Sequence, residues 1–267
     1  MKKTRAVIIF FLALIFVPGI TASAGPVLDR IVQRGELVLG TSGDQPPLTA
    51  RTKDGKIIGF DADFSRSMAS AMGVKLQTKV MPFPELLPAL EEGKVDMIMS
   101  GMTMTPERNL KVAFVGPYYI SGKGILTKIE TVASLQDPAE IDRPDLTLAA
   151  LKNSTSQRFV ETVLPKAKLR TTSTLDEAVD MVIQGQVDGL IADYPFCAVY
   201  AFRHRDKGLI AGQARFTFEP LGIALPPNDP LLVNWVQNFL GTLKSNGGLD
   251  TLTNRWFKNP SWVKELP

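Results

Sequence analysis

Apolar and polar positions follow two periods along the chain, one helical and one typical of strands. Helical spacing of apolar residues predicts helices at 26–34, 61–72, 84–92, 157–164 and 229–244. Short apolar or alternating runs predict strands at 36–40, 74–80, 146–151 and 216–225. Because helices and strands alternate along the chain, the pattern indicates an α/β fold with helices flanking the sheets.

Two segments repeat the same order of elements: a helix, a glycine, a Val-Asp pair and a buried strand. The first passes through Gly93-Lys94-Val95-Asp96 and the second, 92 positions later, through Gly185-Gln186-Val187-Asp188. The first strand leads into Ser100-Gly101 and the second into Asp193. A period this long does not fit a solenoid, so it predicts two lobes with a similar plan. We expect lobe 1 to comprise residues 25–126 and 221–267, and lobe 2 residues 127–220.

The first 24 residues have the composition of a secretory signal peptide. Lys2, Lys3 and Arg5 precede an apolar run, and Ala22-Ser23-Ala24 forms a small-residue cleavage site. The apolar run is shorter than the roughly 20 residues that a membrane span requires. We therefore expect export to the periplasm, with the signal peptide (residues 1–24) cleaved before Gly25.

Composition excludes several classes of function. Three of the 30 basic residues lie before Gly25, so the remaining chain balances the 27 acidic residues and is formally neutral. It has no basic stripe of the kind that nucleic-acid binding requires. Cys197 and His204 are the single cysteine and histidine, which excludes an intrachain disulfide and argues against a Cys/His metal site. We expect no metal and no cofactor.

The segment after the first repeated strand contains a candidate carboxylate site. Ser100, Gly101 and Thr103 lead to Arg108, whose planar guanidinium matches the two oxygens of a carboxylate. A surface arginine that only caps a loop is the alternative interpretation. In the second half, Ser154-Thr155 precedes a helix; hydroxyl residues there cap free N–H groups, and the same place can bind an anion.

Several motifs together resemble the bacterial extracellular solute-binding proteins of family 3, the periplasmic receptors of polar amino-acid ABC transporters. These motifs are Gly59-Phe60-Asp61-Ala62-Asp63, Leu86-Leu87-Pro88-Ala89-Leu90, Ser100-Gly101-Met102-Thr103-Met104-Thr105-Pro106-Glu107-Arg108, Phe114-Val115-Gly116-Pro117-Tyr118, Asn153-Ser154-Thr155 and Asn254-Arg255-Trp256-Phe257. The resemblance covers nearly all of the chain after residue 24. It implies a type II periplasmic-binding-protein fold, in which two lobes are joined by two hinge strands. Each lobe would be a mixed sheet flanked by helices, with the ligand in the cleft between them.

The resemblance also implies roles for individual residues. Thr103 and Arg108 would clamp the α-carboxylate of the ligand. Ser154 and Thr155 would add donors from the other lobe, and Asp193 would bind the α-ammonium. Because both lobes would bind the same zwitterion, the ligand would favour the closed state.

The pocket for the ligand side chain departs from the family pattern. Gln45 and Leu48 stand where aromatic residues usually enclose that side chain, and Phe83 keeps the aromatic residue on the facing wall. Ser42 replaces the acid found in binders of basic amino acids, and Asn153 replaces a glycine. The ligand, and whether it carries an α-amino group, therefore stays open. The candidate ligand-contacting residues are Ser42, Gln45, Phe83, Ser100, Gly101, Thr103, Arg108, Ser154, Thr155 and Asp193.

The leading hypothesis is a monomeric transport receptor that captures an amino acid or related small zwitterion and delivers it to an ABC transporter permease. An enzyme resembling cyclohexadienyl dehydratase is an alternative, because the turn at residues 40–44 is similar. Those enzymes carry an additional Glu near the position of Asp193, which residues 194–197 do not provide. A soluble ligand sensor is the third alternative, because sensing needs the same ligand-driven closure.

Overall fold

The computed structural model describes residues 25–267 and shows two five-stranded sheets together with a small three-stranded sheet. The strands are β1 (Glu36–Thr41), β2 (Asp44–Gln45), β3 (Thr49–Arg51), β4 (Ile57–Ile58), β5 (Lys75–Val80), β6 (Met97–Ile98), β7 (Ala113–Ser121), β8 (Lys123–Thr127), β9 (Thr147–Leu151), β10 (Lys168–Thr172), β11 (Gly189–Asp193), β12 (Ile210–Ala211) and β13 (Glu219–Leu225). The helices are α1 (Pro26–Arg34), α2 (Phe60–Met72), α3 (Phe83–Glu91), α4 (Pro106–Asn109), α5 (Glu130–Ala133), α6 (Thr155–Val163), α7 (Leu175–Ile183), α8 (Tyr194–Arg203), α9 (Pro230–Ser245) and α10 (Gly248–Thr253).

The first sheet, which forms lobe 1, has the strand order β5-β1-β6-β13-β7. β1 runs parallel to β5 and β6, whereas β13 runs antiparallel to β6 and β7. Successive side chains of β1 point to opposite faces. Leu37 belongs to a hydrophobic cluster with Phe64 of α2, and Val38 belongs to another with Leu86 of α3. Helices therefore cover both faces of this sheet.

The second sheet, which forms lobe 2, has the order β10-β9-β11-β8-β12. β9 runs parallel to β10 and β11, whereas β8 runs antiparallel to β11 and β12. Leu148 of β9 packs in one cluster with Phe159 of α6, and Ala149 packs in another with Val179 of α7. Both sheets mix parallel and antiparallel pairs between helices, which confirms the predicted α/β class.

Two segments connect the lobes and pass each other at Gly122. β7 of the first sheet leads through Gly122 into β8 of the second, and the chain returns from the second sheet into β13. The N–H of Lys123 donates to Oγ1 of Thr217 (3.0 Å), and the N–H of Phe216 donates to the carbonyl of Lys123 (2.8 Å). A Cβ on Gly122 would lie 2.5 Å from the carbonyl oxygen of Thr217, so this close approach requires glycine.

The chain changes sheet a few residues away from the lobe bounds expected from sequence. Lys123–Thr127 pairs with β11 in the second sheet, although residues up to 126 were expected in lobe 1. Glu219–Leu225 pairs with β7, so the first sheet resumes at 219, two residues before the expected bound of 221. The local sequence of each connection does not show which strand will pair with which, so it does not locate the change of sheet.

The repeated Val-Asp units have the same structural role in both sheets. The carboxylate of Asp96 accepts the N–H of Val38 (2.8 Å), and the N–H of Asp96 donates to the carbonyl of Val38 (2.8 Å). Asp188 makes the same two bonds with Thr147, at 2.7 and 2.8 Å. Each aspartate therefore ties the start of its strand to a neighbouring strand, and neither lies among the residues that line the cavity described below.

The signal peptide expected at residues 1–24 lies outside the described residues. Cleavage before Gly25 therefore stays a prediction. Within residues 25–267, no helix combines the length and the apolar character needed to cross a membrane.

Candidate ligand-binding cleft

A small cavity lies between the two lobes. Its volume is about 20 Å³, which is room for about one water molecule. The sequence-predicted residues that line it are Gln45, Phe83, Gly101, Thr103, Arg108, Ser154, Thr155 and Asp193. The other lining residues are Lys123, Leu151, Ser156, Leu175 and Ala192. A ligand as large as an amino acid therefore enters only when the lobes move apart or side chains rearrange.

Arg108 is positioned by a local helix cap. Oγ1 of Thr105 accepts the N–H of Arg108 (3.2 Å) at the start of α4. The guanidinium donates to the carbonyl of Thr103 (2.8 Å) and, across the cleft, to the carbonyl of Asn153 (3.2 Å). It also lies 5.6 Å from the ring centroid of Phe83. Burial lowers the pKa of Arg108 to about 10, so the side chain stays charged at neutral pH.

The N-terminus of α6 faces the cavity from lobe 2. Oγ of Ser154 caps this helix by accepting the N–H of Gln157 (3.1 Å), and it donates to the carbonyl of Leu151 (2.6 Å). Oγ1 of Thr155 lies 3.4 Å from Oγ1 of Thr103 in lobe 1. Because capping engages the hydroxyl of Ser154, an anion here would meet the first-turn N–H groups and Oγ1 of Thr155.

Asn153 occupies a backbone conformation that favours glycine. Its φ is +58°, in the left-handed region. Asparagine tolerates this region better than most residues that carry a side chain, which explains how it can replace a glycine here. The N–H of Asn153 donates to Oε1 of Gln157 (2.7 Å), and its carbonyl receives the guanidinium of Arg108.

Gln45 and Gly101 are in close contact on the lobe 1 side. Gly101 has a φ of +59°, and a Cβ there would lie 2.7 Å from Oε1 of Gln45. The N–H of Gly101 donates to Oδ2 of Asp61 (2.9 Å). Nε2 of Gln45 reaches across the cleft and donates to Oδ2 of Asp193 (3.0 Å). Gln45 is therefore a polar bridge between the lobes at a position where the family pattern has an aromatic residue.

Asp193, which was expected to bind the α-ammonium of a ligand, already has a cation of the protein beside it. The buried ammonium of Lys123, only 3% exposed, lies 2.6 Å from Oδ1 of Asp193 and 3.6 Å from Oε2 of Glu219. Glu219 is also buried and accepts the hydroxyl of Thr217 (2.9 Å). Sequence reasoning missed Lys123 and Glu219. Lys123 is 70 positions from Asp193 and becomes its cross-strand neighbour only because β8 pairs with β11.

Burial and charge act against each other on these two acids. Burial raises the pKa of Asp193 above its ordinary value, and the ammonium of Lys123 counteracts part of that rise. Burial also acts on Glu219, but Lys123 and the hydroxyls of Thr103 and Thr217 outweigh it and lower the pKa of Glu219. Glu219 is therefore a charged partner of the Lys123 ammonium at neutral pH.

Ser42 and Ser100 are not among the residues that line this cavity. Oγ of Ser100 accepts the N–H of Ser42 (2.9 Å) and donates to Oγ of Ser42 (3.0 Å). These bonds link the loops that follow β1 and β6. Ser100 is fully buried. Ser42 lines a separate inter-lobe cleft of about 610 Å³, which also contains Asp44.

The sequence profile of the bacterial extracellular solute-binding proteins of family 3 matches residues 37–259. The chain belongs to this family. The match spans both five-stranded sheets and both connections between them. It confirms the resemblance that the motifs indicate.

Relatives and solved structures agree with this assignment. A binding component of an ABC transporter from Wolinella succinogenes, in complex with lysine, is 37% identical with a TM-score of 0.82, covering 86% of this chain and 99% of that one. Cyclohexadienyl dehydratase from Pseudomonas aeruginosa is 26% identical over 86% of each chain. The ABC transporter arginine-binding protein 1 of Escherichia coli is 24% identical over 82% of this chain and 89% of that one. The structural match confirms the two-lobe, type II binding-protein fold, and the relatives include binding proteins and an enzyme.

Proposed function

We propose that this protein is a periplasmic receptor that captures an amino acid or a related small carboxylate and delivers it to an ABC transporter permease. The main support for the proposal is the position of Arg108. Its guanidinium lines the cavity and donates to the backbone carbonyls of Thr103 and Asn153. No carboxylate within residues 25–267 forms a salt bridge with it. These two bonds leave N–H groups of the guanidinium for the carboxylate of a ligand.

Contacts across the cleft support closure around the ligand. The pairs that join the lobes include Arg108 with the carbonyl of Asn153, Gln45 with Asp193, Thr103 with Thr155, and Glu107 with Arg158 (2.7 Å). A carboxylate held by Arg108 and by the N-terminus of α6 would add contacts that exist only when the lobes are closed. Such a ligand shifts the population toward the closed state, which a permease can distinguish from the open one.

A thermal-shift screen over amino acids, amines and small carboxylates tests the proposal, because a ligand that binds the folded state raises its stability. Calorimetry then compares the wild type with Arg108→Ala. We expect the substitution to weaken binding roughly 30-fold or more, since losing one partner of a buried charge pair costs about 2–5 kcal/mol. Arg143→Ala, which removes a half-exposed arginine of lobe 2, is the matched control. Equal affinities of the wild type and Arg108→Ala would refute the proposal.

Similarity to cyclohexadienyl dehydratase favours an activity of the dehydratase type, whereas the surroundings of Asp193 do not. Loss of a hydroxyl group needs a general acid close to the substrate. Asp193 is engaged by Lys123 and Gln45, and residues 194–197 at the start of α8 add no carboxylate. Turnover of prephenate by the purified protein would establish this alternative.

The family and the predicted signal peptide support a periplasmic location. Mass spectrometry of the exported protein tests whether the chain begins at Gly25. Uptake of the ligand by cells with and without the gene distinguishes transport from sensing. Uptake that is unchanged by the deletion would favour a sensory role.

A further inference from the structure

The acid expected to bind a ligand ammonium already holds an ammonium from the chain itself. Oδ1 of Asp193 lies 2.6 Å from Nζ of Lys123, and Oδ2 of Asp193 accepts Nε2 of Gln45 at 3.0 Å. Glu219 faces the same lysine at 3.6 Å. Each oxygen of Asp193 therefore has a donor from the protein.

The sheet holds Lys123 in this position. Lys123 and Asp193 are directly paired residues of β8 and β11, so their side chains share one face of the sheet. The backbone of Lys123 is bonded on its other side to Thr217 and Phe216, where the connections between the lobes pass each other. Removing the ammonium from Asp193 would leave two buried carboxylates without a counter-ion.

The charges that line the cavity determine what can bind beside Arg108. Arg108 and Lys123 are cations and Asp193 is the one acid among the lining residues. A ligand ammonium at Asp193 would meet the like charge of Lys123 at close range, where repulsion is strong because the site is buried. A hydroxyl, oxo or carboxylate oxygen at the same place would instead receive a hydrogen bond from the Lys123 ammonium, which has three donors.

We propose that Lys123 makes this cleft select carboxylates whose second polar group is a hydrogen-bond acceptor over the matching α-amino acids. The expected ligand class is therefore a 2-hydroxy acid, a 2-oxo acid or a dicarboxylate. This inference rests on the proposed function, in which Arg108 binds the ligand carboxylate. It assigns the choice of the second group to Lys123 and not to Asp193.

Calorimetry with matched sets of ligands tests the inference. Each set contains the 2-hydroxy acid, the 2-oxo acid and the α-amino acid with the same side chain, and the sets include aliphatic, aromatic, acidic and basic side chains. We expect the wild type to bind the hydroxy or oxo acid at least about tenfold more tightly than the amino acid of its best set. In Lys123→Met we expect this ratio to fall at least about tenfold.

A second variant tests the same inference if the Lys123→Met protein does not fold. Lys123→Met combined with Glu219→Gln removes one buried cation and one buried anion together and leaves Asp193 to bind a ligand ammonium. We expect this double variant to prefer the amino acid. Circular dichroism and thermal unfolding verify that each variant is folded before binding is measured.

The outcomes separate the two proposals. Tighter binding of amino acids by the wild type, or a ratio that is the same in the wild type and the folded double variant, would overturn the role of Lys123. The receptor function would stand in that case, provided that Arg108→Ala still weakens binding. Binding of no carboxylate from any set would overturn both proposals.

Discussion

The two lobes share one structural unit and differ in the chemistry that follows it. Asp96 and Asp188 make the same pair of bonds to a neighbouring strand. After the lobe 1 strand, the chain forms a loop and a helix cap that present Arg108. The lobe 2 strand ends on Asp193, which is paired with Lys123. The same framework therefore presents a cation with no salt bridge within residues 25–267 in lobe 1 and an acid with its own counter-ion in lobe 2.

Arg108 and Lys123 are held by residues at very different distances along the chain. Arg108 depends on Thr105 and Thr103, which lie within five positions of it. Lys123 depends on Asp193, 70 positions away, and on Glu219 beyond the second connection. Groups held by near neighbours can be recognised in a sequence, whereas groups held by sheet pairing appear only in the folded chain.

Replacing the shared aspartates Asp96 and Asp188 is expected to lower the free energy of unfolding by different amounts. Asp96 is 1% exposed and also receives Arg30 (3.0 Å) and Arg34, whereas Asp188 is only partly buried. We expect Asp96→Ala to lower the free energy of unfolding by about 3 kcal/mol, the lower end for a broken buried pair because both arginines reach solvent. Asp188→Ala should lower it by about 1 kcal/mol through one lost hydrogen bond. Urea unfolding measures both values.

The matched controls are Asp96→Asn and Asp188→Asn, which keep an oxygen acceptor for the backbone N–H of the neighbouring strand. We expect each to be milder than the corresponding alanine variant. Equal losses for Asp96→Ala and Asp188→Ala would show that the arginine partners of Asp96 add nothing to stability.

Asp193 and Asp61 are both buried carboxylates, but only Asp193 has a cation beside it within the described part of the chain. Asp193 has Lys123, whereas fully buried Asp61 receives the N–H of Gly101 and has no salt bridge within residues 25–267. Burial raises the pKa of Asp61 from 3.8 to about 7. The folded protein then keeps a proton that the unfolded chain releases, so this contribution to stability is complete below about pH 3.8 and is lost as the pH rises through about 7.

We expect the unfolding free energy of the wild type to fall by about 2 kcal/mol relative to Asp61→Asn between about pH 5 and pH 7. Chemical denaturation at several pH values measures this difference. Subtracting the Asp61→Asn curve removes the titration of all other groups that the variant leaves unchanged. Parallel curves would mean that Asp61 is ionised in the folded protein.

The smallest expected effect concerns Arg158, another of the arginines that join the lobes. Arg158 contacts Glu107 at 2.7 Å, but their side chains are 59% and 54% exposed. Exposed pairs of this kind contribute little and are screened by salt. We expect Arg158→Ala to change ligand affinity less than about threefold, against roughly 30-fold or more for Arg108→Ala. A loss in Arg158→Ala that matches the loss in Arg108→Ala would place the recognition of the ligand outside the cavity.

Part of the site could be predicted because its residues are neighbours in sequence. The Thr105 cap and Arg108 follow a strand within a few positions, and the cap of α6 is visible in Ser154. Ser42 and Ser100 were expected beside them, but their hydroxyls bond to each other and tie two loops together. Whether a polar side chain at a strand end faces a cavity or a neighbouring loop depends on contacts that a sequence does not display.

The amino-acid sequence predicts the α/β class, the repeated unit in two lobes, the family and Arg108 as one of the two cations of the cleft. Each follows from periodicity or from groups that lie close together along the chain. The change of sheet at Gly122 and the position of Lys123 between Asp193 and Glu219 become apparent only in the folded chain. The physical reason is that strand pairing brings together residues far apart in sequence, and the local pattern of a strand does not specify its partner.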